Sequence, residues 1–92
     1  MAKSFPFEIV TPEARFYKGD AEIVIVKTTS GEEGFMANHV WGVKLLAGGA
    51  GAAGELRFKE PGGSERAATI EGGFIDVKDR ILVFTDSAAW AE

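Results

Sequence analysis

At 92 residues, the chain is long enough for one domain with a single hydrophobic core. Its net charge of −4 and its ten scattered basic residues argue against nucleic-acid binding, which needs clustered lysine and arginine. The absence of cysteine excludes disulfides, thiol nucleophiles and cysteine metal sites. No stretch is apolar enough to span a bilayer, and Pro6 and Glu8 interrupt the segment where a signal peptide needs an apolar run, so we expect a protein of the cytoplasm.

The first quarter of the chain alternates between apolar and polar residues, which predicts strands. Phe5 to Val10 has the period of a strand with one buried face, and Pro6 places that strand at a sheet edge or at its own beginning. A turn at Thr11 to Glu13 precedes a short extended piece from Arg15 to Lys18, which Gly19 and Asp20 end.

The strongest strand signal runs from Ala21 to Lys27, because consecutive β-branched residues disfavour a helix. Its apolar residues point to both sides, which predicts little water on either face. The next segment, Ser30 to Trp41, is predicted to be a fixed loop ending in a buried tryptophan. Gly31 and Gly34 can take positive φ angles, so we expect the chain to turn at both.

Asn38, which precedes the single histidine, His39, also tolerates a positive φ angle. Further strands are expected at these places: Trp41 to Ala47, Glu55 to Lys59 with Leu56 and Phe58 inward, Glu65 to Ile70, Phe74 to Val77, and Ile81 to Thr85. Gly72 and Gly73 form a structural turn, Gly48 to Gly54 a mobile connection, and Ser87 to Glu92 could begin a helix. Short strands at this spacing indicate an all-β sandwich or barrel over residues 1–92.

Two features of the sequence resemble functional sites but lack the neighbouring elements or residues that such sites need. Gly49 to Gly54 matches the dinucleotide pattern G-x-G-x-x-G, yet a strand pattern follows where that motif needs a helix. His39 is the only candidate general base, and a lone loop histidine is more often structural than catalytic. Neither Ser30 nor Ser87 lies in a nucleophile-elbow pattern.

The acidic side chains Asp76, Asp79 and Asp86 lack the spacing of a metal loop, so we expect no metal, no cofactor and no catalytic residue. A small sandwich that binds a ligand or hydrolyses a substrate at the His39 loop is the alternative.

The segments Phe7-Glu-Ile-Val-Thr-Pro-Glu13 and Gly31-Glu-Glu-Gly34-Phe with His39 follow one another along the chain. They resemble, in order, the opening and the Gly-x-x-Gly loop of the epsilon subunit of F-type ATP synthase. Gly72-Gly73-Phe-Ile-Asp-Val77 and Ile81 to Ala88 are similar to its closing hairpin. The family usually has Pro-Gly-His-Ala-Pro where this chain has Ala37-Asn-His-Val-Trp41, and Asn38 preserves the tolerance for positive φ.

The resemblance implies a flattened sandwich of mostly antiparallel strands that acts as a non-catalytic part of the central stalk. Its partners would be the gamma subunit and the polar loops of the c-ring, at the cytoplasmic face of a bacterial membrane. By motif position, the c-ring contact falls on Thr11, Glu13, Gly31, Glu32, Glu33 and Gly34, and Asn38 and His39 shape the same end. Members usually continue into a helical hairpin. This chain stops where the hairpin would begin, which leaves open a natural short form or a part of a longer protein.

Overall fold

A computed structural model of the chain describes residues 3–48 and 54–91. Within these ranges there are ten strands and no helix, so the all-β fold class is confirmed. The strands are β1 Phe5–Val10, β2 Arg15–Ala21, β3 Ile23–Thr28, β4 Gly31–Met36, β5 Gly42–Leu45, β6 Gly54–Lys59, β7 Glu65–Ile70, β8 Phe74–Val77, β9 Ile81–Phe84 and β10 Ala88–Trp90.

The strands form two five-stranded sheets that pack face to face. Sheet A has the order β2-β1-β9-β8-β5, and sheet B has the order β10-β7-β6-β3-β4. Every pairing is antiparallel except that of β1 with β9, which confirms a mostly antiparallel sandwich. Because β5 and β4 end their sheets, both are edge strands on the same side of the sandwich, and β2 and β10 form the opposite side.

The core consists of the alternate side chains that each strand directs between the sheets. Phe7 of sheet A and Phe58 of sheet B meet with their ring centroids 5.0 Å apart. Leu56 and Phe58 are both buried, as the alternation in β6 predicts. Since a buried Phe or Leu contributes roughly 1.5–3 kcal/mol, these inward rows supply most of the force that holds the sheets together.

An aromatic cluster closes the side of the sandwich formed by β2 and β10. The ring centroids of Trp90 and Phe16 are 4.6 Å apart. Arg66 Cζ lies 3.7 Å from the centroid of the Trp90 ring. Tyr17 packs on Phe58 and donates its hydroxyl to Glu60 at 2.8 Å. Burial together with this hydrogen bond raises the pKa of Tyr17 to about 12.

The predicted loop from Ser30 to Trp41 is largely wrong, because Gly31–Met36 forms strand β4. Gly31 has a positive φ of 116°, but Gly34 lies inside the strand and is not a turn. The sequence suggested a loop because β4 is an edge strand with one large buried side chain, Phe35. Its pairing with β3 is fixed by backbone hydrogen bonds rather than by apolar alternation.

The exposure of the next segment also differs from expectation. Trp41, predicted to be buried, is 65% exposed, and β5 is exposed along its whole length. Among the apolar residues of β3, Val24 and Val26 are buried whereas Ile23 and Ile25 are partly exposed, so the prediction of two dry faces is wrong for this strand. A run of apolar residues in a sequence does not say which face another sheet covers.

Smaller differences concern strand ends. β2 continues through Gly19 and Asp20 to Ala21, and the tail forms strand β10 on β7 instead of a helix. β1 is an interior strand, but Pro6 comes before the pairing with β9, which starts at Phe7, so its missing N–H removes no hydrogen bond there. The predicted mobile connection at 48–54 falls mainly on 49–53, which lie outside the described residues; Gly54 itself opens β6.

The turn at Gly73 yields a stability prediction. Gly73 has a φ of 100°, and a Cβ built on it would lie 1.8 Å from the Phe84 carbonyl oxygen. We expect Gly73→Ala to destabilise the fold by about 3 kcal/mol or more, since it combines backbone strain with a clash against a main chain. Urea unfolding measures this loss.

Gly62 provides the matched control, because its φ is 97° and a Cβ added to it would have no other atom within 4 Å. Gly62→Ala should cost only the backbone term, about 1 kcal/mol. Equal losses for the two variants would contradict the packing argument.

Candidate functional site

One end of the sandwich gathers most of the turns that the sequence marked as contact loops. Val10 pairs with Phe84, Phe84 with Phe74, and Phe74 with Leu45, all at the ends of their strands. The Leu45 carbonyl then accepts a hydrogen bond from Thr29 N at 3.1 Å, in the β3–β4 turn. The β1–β2, β3–β4 and β7–β8 turns therefore lie at a common end, which we call the turn end.

Thr11 closes the β1–β2 turn at this end. Its backbone N–H donates to Ala14 O at 2.9 Å, and its hydroxyl donates to the same oxygen at 3.1 Å. These bonds hold a short turn in one conformation, and Glu13 projects from it into solvent. The predicted pair Thr11 and Glu13 thus lies at the same end as Gly31.

Glu32 and Glu33, neighbours in the sequence, point to opposite faces of β4. Glu32 lies on the outer face of sheet B, 3.5 Å from Arg57. Glu33 pairs with Val26, a core residue, so it points between the sheets. Of the two acids that the resemblance places in the c-ring contact, Glu32 is therefore exposed on the outer face and Glu33 is directed between the sheets.

Glu33 instead closes the β4–β5 side of the sandwich. Its Oε1 accepts from Lys44 Nζ at 2.6 Å, and its Oε2 accepts from the buried Thr28 hydroxyl at 2.7 Å. These hydrogen bonds from Lys44 and Thr28 hold the pKa of the Glu33 carboxyl below its ordinary value. Lys44 points inward from an edge strand, a placement that discourages pairing with other chains.

Gly34, Asn38 and His39 lie away from the turn end, and their contacts are with neighbouring residues of the chain. A Cβ built on Gly34 would lie 3.6 Å from Ile23, an ordinary van der Waals distance. Asn38 has the expected positive φ, 68°. His39 lies against Phe35, with ring centroids 4.7 Å apart, and its Nδ1 donates to Val40 O at 2.9 Å.

His39 does not shape the end that carries Gly31. Phe35, its packing partner, is four residues farther along β4, about 13 Å at the usual rise of a strand. Within the described residues, no carboxylate or hydroxyl hydrogen-bonds to the His39 ring. The geometry gives His39 a packing role beside the β4–β5 edge. Gly72 and Gly73 form the β7–β8 turn with φ angles of 57° and 100°.

The feature that sequence reasoning missed is an apolar strip along β5. Val40, Trp41, Val43 and Leu45 are each more than 60% exposed, and we call these four residues the β5 strip. Val43 and Leu45 lie two residues apart on the outer face of sheet A. The alternation is visible in the sequence, but there it predicts a strand facing the core.

Comparison with known proteins identifies relatives across the whole chain. The family described as ATP synthase, Delta/Epsilon chain, beta-sandwich domain, matches residues 4–91. Two relatives named ATP synthase epsilon chain, from Alkaliphilus metalliredigens and Caldanaerobacter subterraneus, are each 37% identical over 93 aligned positions. The alignments cover 100% of this chain and 65% and 64% of those relatives, so the chain spans less than two thirds of their length.

Solved structures share the fold. A chain in the cryo-EM structure of the Euglena gracilis mitochondrial ATP synthase superposes with a TM-score of 0.83 and 23% identity, covering 95% of this chain and 53% of that one. A chain in the Tetrahymena thermophila mitochondrial ATP synthase central stalk and c-ring gives a TM-score of 0.71 and 12% identity, covering 96% of this chain and 67% of that one. Across residues 3–48 and 54–91, no helix has the length and apolarity of a membrane span.

The Lys44–Glu33–Thr28 contacts predict a pH dependence of stability. Because the folded-state pKa of Glu33 is depressed, its stabilising effect is present above the unfolded value, about 4.3, and is lost as the pH falls through the folded pKa. Glu33→Gln should therefore lower the thermal midpoint above about pH 5, and the difference from the unaltered chain should shrink toward about pH 3.

Glu32→Gln is the control. The Glu32–Arg57 ion pair is exposed and its N–O distance is 3.5 Å, so it should contribute little to stability. Thermal unfolding followed by circular dichroism between these pH values makes the comparison. A Glu33→Gln difference that stays constant over the whole pH range would show that the ionised carboxylate is not what stabilises this edge.

Proposed function

The chain belongs to the family of ATP synthase delta/epsilon chain β-sandwich domains, and on this premise we propose that it is a non-catalytic central-stalk component. In this role it links the gamma subunit to the c-ring and rotates with both. It thereby helps to couple ion translocation to ATP synthesis. It would work at the cytoplasmic face of a bacterial membrane, held there through the c-ring.

The observation that carries this proposal is the β5 strip. A sandwich of this size has little reason to expose Trp41, Val43 and Leu45 on one edge unless a partner covers them. Tryptophan on an exposed apolar surface is typical of the residues that contribute most to protein–protein affinity. We assign the β5 strip to the gamma subunit, the larger partner with which the sandwich must turn.

The turn end suits a different partner. Its exposed groups are polar turns with Glu13 and Glu32, and both acids stand on hydrogen-bonded turns or strands. Polar, charged surfaces of this kind steer and orient association more than they hold it. We therefore place the c-ring loops against Thr11, Glu13, Gly31 and Glu32. The β5 strip, against the gamma subunit, provides most of the binding affinity.

This division predicts the effect of a charge placed in the strip. Leu45→Asp puts a carboxylate on a side chain that is 63% exposed, so the fold should tolerate it. Binding to the gamma subunit should fall by roughly a hundredfold, because an unpaired charge would be desolvated in the interface. Isothermal titration of purified gamma subunit into the chain measures the dissociation constant.

Ala89→Asp provides the matched control, since Ala89 is exposed on β10, the edge strand of sheet B on the other side of the sandwich. It should leave the affinity unchanged. If Leu45→Asp also binds with unchanged affinity while remaining folded, the strip is not the docking surface. Turnover of a substrate by the chain alone that disappears in folded His39→Ala would contradict the non-catalytic assignment.

A further inference from the structure

A preformed cavity lies beside the β5 strip at the turn end of sheet A. It has a volume of about 340 Å³. Its lining includes Val10, Thr11, Pro12, Phe74, Phe84 and Asp86. Phe74 pairs with Leu45 of the strip, so the cavity and the strip form one continuous surface.

The floor of the cavity is aromatic. The rings of Phe74 and Phe84 stack with their centroids 4.8 Å apart and their planes 23° from parallel. Phe74 keeps 38% of its surface exposed although it is a large apolar side chain. Such a floor offers a flat π surface to any group that enters.

Main-chain hydrogen bonds hold the walls in place. Thr85 N donates to Val10 O at 3.0 Å, and Leu46 N donates to Gly73 O at 2.9 Å. The Thr85 hydroxyl, which is buried, donates to Glu71 O at 3.0 Å. A cavity with walls this fixed loses little conformational entropy when it is filled.

The rim of the cavity is acidic. Asp86 is exposed at the rim, and none of the ion pairs among the described residues includes it. No lysine or arginine lines the cavity in the described part of the chain. An aromatic floor beneath a carboxylate therefore matches a side chain that is flat, extended and cationic.

We propose that this cavity is a socket for an arginine side chain of the gamma subunit. The guanidinium stacks on an exposed ring face of the Phe74–Phe84 pair and forms an ion pair with Asp86. Arginine fits better than lysine because its planar head combines stacking with directional hydrogen bonds to a carboxylate. The assignment to the gamma subunit rests on the proposed function, because Phe74 of the cavity pairs with Leu45 of the strip that the gamma subunit covers there. The opposite wall, Thr11 and Pro12, borders the turn placed against the c-ring loops.

The experiment measures the affinity of the chain for purified gamma subunit at ionic strengths of about 0.05 and 0.5 M, between which the Debye length shortens about threefold. Asp86→Asn should weaken binding about tenfold at the lower ionic strength and clearly less at the higher one. Phe74→Leu, which keeps an apolar floor but removes the π surface, should weaken binding several-fold. Glu65→Gln, an exposed acid of sheet B, is the matched control and should have no effect.

A double-mutant cycle identifies the occupant. Each arginine of the gamma subunit is changed to glutamine in turn, and each variant is titrated into the unaltered chain and into Asp86→Asn. One arginine should weaken binding to the unaltered chain and have little further effect on Asp86→Asn. If no arginine couples to Asp86, or if Asp86→Asn binds as well as the unaltered chain at both ionic strengths, the socket is overturned while the proposed function stands. Absence of any binding by the unaltered chain would overturn both.

Discussion

The contact between two facing sheets, centred on Phe7 and Phe58, is the constraint on which the rest of this structure depends. Each sheet can bury only one face against the other, so alternate residues of every core strand must be apolar. A sandwich also has two open sides where water could enter between the sheets. The chain closes one with the Phe16, Tyr17 and Trp90 cluster under Arg66, and the other with the Lys44–Glu33 ion pair.

The two closures have different consequences for function. The aromatic side is closed by large side chains that pack on one another, so its apolar surface is covered by residues of the same chain. The other side is closed by charges that point inward, which leaves the outward side chains of β5 free to be apolar. The exposed apolar side chains and the protection of the edge therefore come from opposite faces of one four-residue strand: Val43 and Leu45 lie on one face and Lys44 on the other.

Sequence reasoning was accurate where local patterns decide the structure. The alternating strand β6, its return strand β7 and the β8–β9 hairpin were predicted within a residue of their bounds, because turn residues separate them and β6 has one wet and one dry face. The positive φ of Asn38 followed from its side chain alone. The common location of Thr11, Glu13 and Gly31 came from the family resemblance and agrees with the strand registers.

The errors arose where distant parts of the chain decide the structure. β4 is a strand because β3 supplies its hydrogen bonds, and β10 is a strand because β7 does, although neither has a strong pattern of its own. The inward direction of Glu33 follows from its register with Val26 on β3, and its partner Lys44 lies eleven residues away in the sequence. The exposure of Trp41 could not be read from its neighbours, since an apolar alternation looks the same whether a second sheet or a partner subunit covers it.

In the proposed function, a sandwich of this architecture would hold two partners at once and act through its stiffness. The hydrogen-bonded turns at the turn end and the β5 strip belong to the same two sheets, so a torque applied at one would pass through the strand pairings to the other. No titrating or nucleophilic group is required for that task.

Amide hydrogen exchange of the chain, alone and in complex with the gamma subunit, tests the central claim that β5 is the covered edge. We expect slower exchange at Gly42–Leu45 in the complex and unchanged exchange at Ala88–Trp90, the edge strand on the opposite side of the sandwich. Unchanged exchange at β5 in a saturated complex, or new protection confined to β10, would show that β5 is not the covered edge.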